Sequence, residues 1–156
     1  MRDTRGGTQQ QSAVDFSPEQ LLRYARGNAA AWALGTIAFL RALGLPVEAW
    51  TEYLGRQFAA QWRTHRALKV ARGAALDLVA TGGELLEVAG DDDRAEAVVA
   101  GWPPAELVEL FGLSPAGADA FFDVFAPIAA ELEMDFTWRR EGDAVRLIFS
   151  RGRRAE

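Results

Sequence analysis

The 156-residue chain has no cysteine. That excludes disulfides, thiolate metal sites and a cysteine nucleophile together. It has a single histidine, His65, so one side chain only has an unperturbed pKa close to neutrality. A basic surplus is also missing: 17 Lys and Arg face 22 Asp and Glu, a net charge of −5. Nothing is in excess to neutralise phosphates, and no nucleic acid partner is expected. Long apolar runs are absent too. The longest uncharged stretch, residues 27–40, is diluted by Gly27, Asn28, Gly35 and Thr36 and falls short of the roughly 17–25 residues of a bilayer span. No membrane partner is therefore expected. Residues 1–15 are polar and rich in Gly and Gln without an apolar core, which predicts a flexible tail rather than a signal peptide and a cytoplasmic location. Phosphate loop, nucleophile elbow, zinc spacing and dinucleotide fingerprint are all missing, so no cofactor and no metal is expected.

What remains is an ordered sequence of periodicities. Ser17-Pro18-Glu19-Gln20 is a capping box with proline at the first helical position. Leu43-Gly44-Leu45-Pro46 is a glycine stop followed by a proline that opens the next helix. The second helical stretch runs over residues 47–81. A straight helix of that length would span roughly 50 Å, so a break is expected at Gly55, residues 64–66 or Gly73. Residues 83–89 and 94–101 read as strands around Gly90-Asp91-Asp92-Asp93, a hairpin loop. A short helix over 104–111 and a longer one over 115–133 follow, the second bent by Pro127. The final hairpin, 135–140 with 144–151, alternates Met134, Phe136 and Trp138 against Val145, Leu147 and Phe149 on one face. Together these predict an α+β fold: two helical pairs, each followed by a β-hairpin, the four strands forming one antiparallel sheet covered by helices. Residues 16–151 form the single domain, with 152–156 as a C-terminal tail.

Chemistry is concentrated in the second helical stretch. Val47, Trp50, Leu54, Phe58, Gln61, His65, Leu68, Arg72, Leu76 and Val79 recur at three/four spacing. Gln61, His65 and Arg72 are the polar members of that apolar stripe. A buried polar group without a partner costs about 1–3 kcal/mol, so the three either line a pocket or the helix turns them to water. His65 is the first candidate for acid–base work, with Asp119 or Asp123 to orient it. Those two carboxylates equally suit a solvated face. Five tryptophans and nine phenylalanines suit both a core and an aromatic-walled pocket for a flat apolar ligand. Gly27, Ala31 and Gly35 form a small-residue strip on the first helix, fit for close packing within the monomer or across a dimer.

The element order, Ala100-Gly101-Trp102-Pro103, Phe121-Phe122-Asp123 and the hairpin from Phe136-Thr137-Trp138 to Phe149 resemble the 4-vinyl-reductase domain family and the related amino-thiazoline-carboxylate hydrolase-like family. The resemblance covers roughly residues 16–151. Relatives often carry cysteines, some of them zinc ligands, where this chain has Trp102, Phe122 and Phe149 or their neighbours. The resemblance implies a homodimeric module without that metal, holding a small hydrophobic or aromatic molecule through a His and a Trp, with His65 and Trp50 or Trp62 as the analogous pair. The leading expectation is a binding pocket formed by Trp50, Phe58, Gln61, Trp62, His65 and Arg72. The alternatives are a cofactor-independent enzyme using His65 with Asp119 or Asp123, and an interaction subunit without a pocket.

Overall fold

The computed structural model describes residues 16–152. The expected N-terminal tail, 1–15, lies outside the described residues, as does the C-terminal tail beyond Gly152. Helix α1 (Pro18–Ala42) begins on the expected capping box. The Gln20 N–H donates to the Ser17 hydroxyl at 3.2 Å, and the Ser17 N–H donates to the Gln20 side chain at 2.9 Å. Its end is marked by Gly44 at φ +68°, the left-handed conformation that glycine adopts without penalty. The Leu45 N–H then folds back to the Leu40 carbonyl at 2.9 Å.

The stretch expected over 47–81 is two helices, α2 (Val47–Trp62) and α3 (Ala67–Ala80). Of the three expected places, the break falls around residues 64–66. Arg63 turns out of the helix at φ 33°, ψ 45°, and the new course is fixed from outside. The Asp92 carbonyl accepts the Ala67 N–H at 2.9 Å, and the Asp92 carboxylate accepts Arg66 Nε at 2.7 Å. Gly55 and Gly73 stay helical for another reason, close approach. A Cβ at Gly55 would run into the Val124 carbonyl oxygen and the Pro127 ring, and one at Gly73 would press on the Trp62 indole at 3.0 Å.

Strands β1 (Glu84–Gly90) and β2 (Arg94–Ala100) follow. Their loop is organised by Asp91, whose carboxylate accepts the Asp93 and Arg94 N–H groups at 2.9 Å. A short helix α4 (Ala105–Leu110) leads to α5 (Pro115–Asp119), capped by the Ser114 hydroxyl. The continuous helix expected over 115–133 is interrupted. A 3₁₀ segment (Ala120–Val124) separates α5 from α6 (Phe125–Glu131), so Pro127 sits in the first turn of a new helix. There its missing N–H costs nothing, because first-turn N–H groups have no partner within the helix. Strands β3 (Met134–Glu141) and β4 (Ala144–Arg151) close the chain.

The sheet order is β1-β2-β4-β3, antiparallel throughout. One face is covered by α3, lying on β1, β2 and β4, and by α6 on β3; α2 packs over α6 and the 3₁₀ segment, and α1 is outermost. The expected α+β architecture is the one observed. Val145, Leu147 and Phe149 of β4 point into the main core beside Phe122, Phe125 and Ile128, all buried. On the uncovered face Arg146 lies over the sheet, held by Glu96 at 2.7 Å and Glu141 at 2.8 Å. No helix among the described residues is long and apolar enough to cross a membrane.

Candidate functional site

A cleft of about 410 Å³ opens where α1, α2, the end of α3 and the 3₁₀ segment meet. The α2 face beside it is built in two depths. Thr51, Gly55 and Ala59 are buried at the contact with α6, and their small size lets the helices approach closely. Trp50, Leu54, Phe58, Gln61 and Trp62 flank that contact and form one wall of the cleft. The facing wall is Phe121, Val124, Phe125 and Ile128; Trp32 and Thr36 of α1 form the rim. Phe121 lies 6.5 Å from Trp50 and Phe125 lies 6.5 Å from Trp62, centroid to centroid. Both contacts are tilted, the geometry aromatic quadrupoles prefer over face-to-face stacking.

Four expected pocket residues, Trp50, Phe58, Gln61 and Trp62, are thus brought together on the cleft. His65 and Arg72 are not. The departure of Arg63 from helical dihedrals turns α3 away from the α2 stripe, so the polar members after the break leave it. On α3 the buried positions are Ala67, Val70, Ala71, Ala74, Ala75 and Leu78, while Arg72 faces outward. His65 sits in the break with Nδ1 3.3 Å from the Leu132 carbonyl oxygen, and its own carbonyl accepts the Arg151 guanidinium at 3.0 and 3.1 Å.

The carboxylates considered as partners for His65 are engaged elsewhere. Asp119 pairs with Arg140, which also donates to the Trp102 carbonyl at 3.0 Å. Asp123 accepts the Trp138 indole N–H at 3.0 Å. Trp138 and Arg140 stand four and six residues along β3 from Met134, about 13 and 20 Å from its start at 3.3 Å per residue. His65 contacts the chain just before that start, so no acid–base pair assembles with it. Trp102, Phe122 and Phe149, at the positions where the resembling families often carry cysteines, are buried in the core. Trp102 and Phe122 are in edge contact at 5.3 Å.

The expected pocket omitted most of the facing residues, Phe121, Phe125 and Asp77 among them. Asp77 of α3 is the sole ionisable side chain among the described residues lining the cleft. It is an exposed residue, and the partial desolvation it still undergoes pushes its carboxyl pKa up to about 6. A signal existed in the sequence: Asp77 is the lone acid between Glu52 and Glu84, set within an Ala- and Leu-rich helix. The hydroxyls nearby are already committed. Thr36 donates to the Trp32 carbonyl at 2.8 Å, and Thr81 donates to the Asp77 and Leu78 carbonyls at 3.1 and 3.0 Å. Comparison with known proteins gives no matching family model and no matching curated sequence.

Proposed function

We propose that the protein is a binding module for a small, flat, mostly apolar or aromatic molecule, acting as a homodimer. The observation that carries the first part is the cleft of about 410 Å³ with tryptophan or phenylalanine contributed by α1, α2, the 3₁₀ segment and α6, a volume and lining typical of small-molecule sites. Trp50, Phe58, Trp62, Phe121 and Phe125 would sandwich the ligand, with Gln61 as a polar contact at the wall. A binding role is favoured over catalysis because a lone carboxylate on the cleft has no second titrating group to work with. The resemblance to the 4-vinyl-reductase-like domains points the same way, although here the tryptophans would act without His65.

The dimer part rests on α1. Its buried residues Ala30, Leu34 and Ile37 occupy one face, while Leu21, Trp32 and Phe39 on the opposite side are more than half exposed. An apolar stripe of that kind on an outer helix marks an association surface. The Gly27/Ala31/Gly35 strip is only partly free, since the Phe111 ring already lies 3.2 Å from a Cβ built at Gly35.

Native mass spectrometry of the purified protein tests both parts at once. The expected result is a two-chain species that takes up 1-naphthol with saturation, loses uptake in Trp50→Ala and becomes one-chain in Phe39→Glu. A bare single chain that takes up no 1-naphthol would overturn the proposal.

A further inference from the structure

Asp77 is placed against two general preferences. It lies in the last turn of α3, four residues before the C-cap Thr81, where the negative end of the helix dipole disfavours a carboxylate. It also lines the apolar cleft while remaining exposed, and partial desolvation raises its carboxyl pKa. No described residue donates a hydrogen bond or an ion pair to its carboxylate, and Thr81 and Thr36, the hydroxyls closest to hand, donate to helix carbonyls instead. A carboxylate on an apolar cleft that has no partner among the described residues and stays accessible is free to pair with a cation that enters the cleft.

The surroundings specify that partner's charge. Trp32, Trp50, Phe58, Trp62, Phe121 and Phe125 line the same space, and an aromatic lining favours a cation over an anion, because the face of an aromatic ring attracts positive charge. An anionic ligand would meet an unscreened carboxylate and the negative faces of the rings, with no Arg or Lys among the lining residues to offset either. We infer that the ligand of this cleft carries a protonated amine on its aromatic or apolar body, the ammonium on Asp77 and the body between the rings. The inference rests on the reading of the cleft as a ligand site given above.

A pH signature follows from the same geometry. The residues that α1, α2 and the 120–131 segment place on the cleft carry no ionisable group, so Asp77 titrates there alone. Its carboxyl loses the proton near pH 6, whereas an alkylammonium keeps its proton to about pH 10, as a lysine does. Affinity for an amine therefore rises as pH climbs through 6 and then levels off.

The test is calorimetric titration of wild type and Asp77→Asn with three probes of one shape: phenethylamine, 2-phenylethanol and phenylacetate. At pH 7.5 the amine is expected to bind wild type at least tenfold tighter than the alcohol, with phenylacetate weakest. Asp77→Asn should reduce the amine to the level of the alcohol and leave the alcohol unchanged. Equal affinity for amine and alcohol, or an amine affinity indifferent to Asp77→Asn, overturns the inference and leaves the cleft reading standing. No binding of any probe to wild type overturns the cleft reading, and the inference with it.

Discussion

At the scale of single residues, environment decides what a side chain does more than its type. Asp119, Asp123 and Asp77 are all aspartates on helical segments. Asp119 neutralises Arg140 and Asp123 holds the Trp138 indole, while Asp77 meets apolar walls. Asp77 should consequently leave a trace in stability. Its folded pKa of about 6 stands above the ordinary value of about 3.9, so between those values the folded state binds more protons than the unfolded chain. Stability contributed at this site then falls as pH rises from about 4 to about 6 and stays low above it. Asp77→Asn, neutral at every pH, is expected to melt higher than wild type above pH 6 and to lose that gain by pH 4. Melting curves of both proteins from pH 4 to 8 check this, and a difference that does not change with pH contradicts it.

Elements show which parts of the structure were legible in advance and why. The α1 capping box, the Asp91 turn and the β3–β4 hairpin are set by local signals: a hydroxyl within reach of the third N–H, a short polar loop, an alternation of large and small faces. Each was readable from a handful of consecutive residues. The break after Trp62 was expected, but its consequence for the face of α3 was not, because the turn is held by Asp92, 26 residues away from Arg66. Periodicity extrapolated across it puts His65 and Arg72 on one stripe with Trp50, Phe58, Gln61 and Trp62, whereas of these six only the four before the break line the cleft. The 3₁₀ interruption has the same character. It fits α6 under α2, a tertiary demand that no spacing within residues 115–133 announces.

Helix packing also separates two kinds of glycine. In a helix interior, glycine is ordinarily about 0.5–1 kcal/mol worse than alanine. Gly27→Ala, with nothing within 4 Å of the new Cβ, is expected to stabilise by that amount. Gly55→Ala should do the reverse, since its Cβ would meet the Val124 backbone and Pro127 and overpacking typically costs about 1–3 kcal/mol. Denaturant melts of the two variants check the opposite signs. If Gly55→Ala gains stability, the close seat of α2 on α6 is refuted.

Across the whole molecule, α3 and α6 cover the sheet, and the cleft lies where α1, α2 and the 3₁₀ segment meet the end of α3 and Phe125 and Ile128 of α6. The aromatic supply divides along the same line. Phe122 lies 5.3 Å from Trp102 and 5.0 Å from Trp138, and Phe136 lies 4.9 Å from Phe149, ring centre to ring centre, while Trp32, Trp50 and Trp62 line the cleft. Composition alone offered core and pocket as competing uses of the same rings; the fold assigns separate tryptophans to each place.

The five indole N–H groups make the central claim directly observable. Titration of 15N-labelled protein with 2-phenylethanol, followed by the indole resonances in a two-dimensional NMR spectrum, reports each tryptophan separately. The account predicts saturable shifts for Trp32, Trp50 and Trp62, which line the cleft, while Trp138, bonded to Asp123 at 3.0 Å, stays in place. Indole resonances that do not move, or a response centred on Trp138 with the three cleft tryptophans silent, would contradict it.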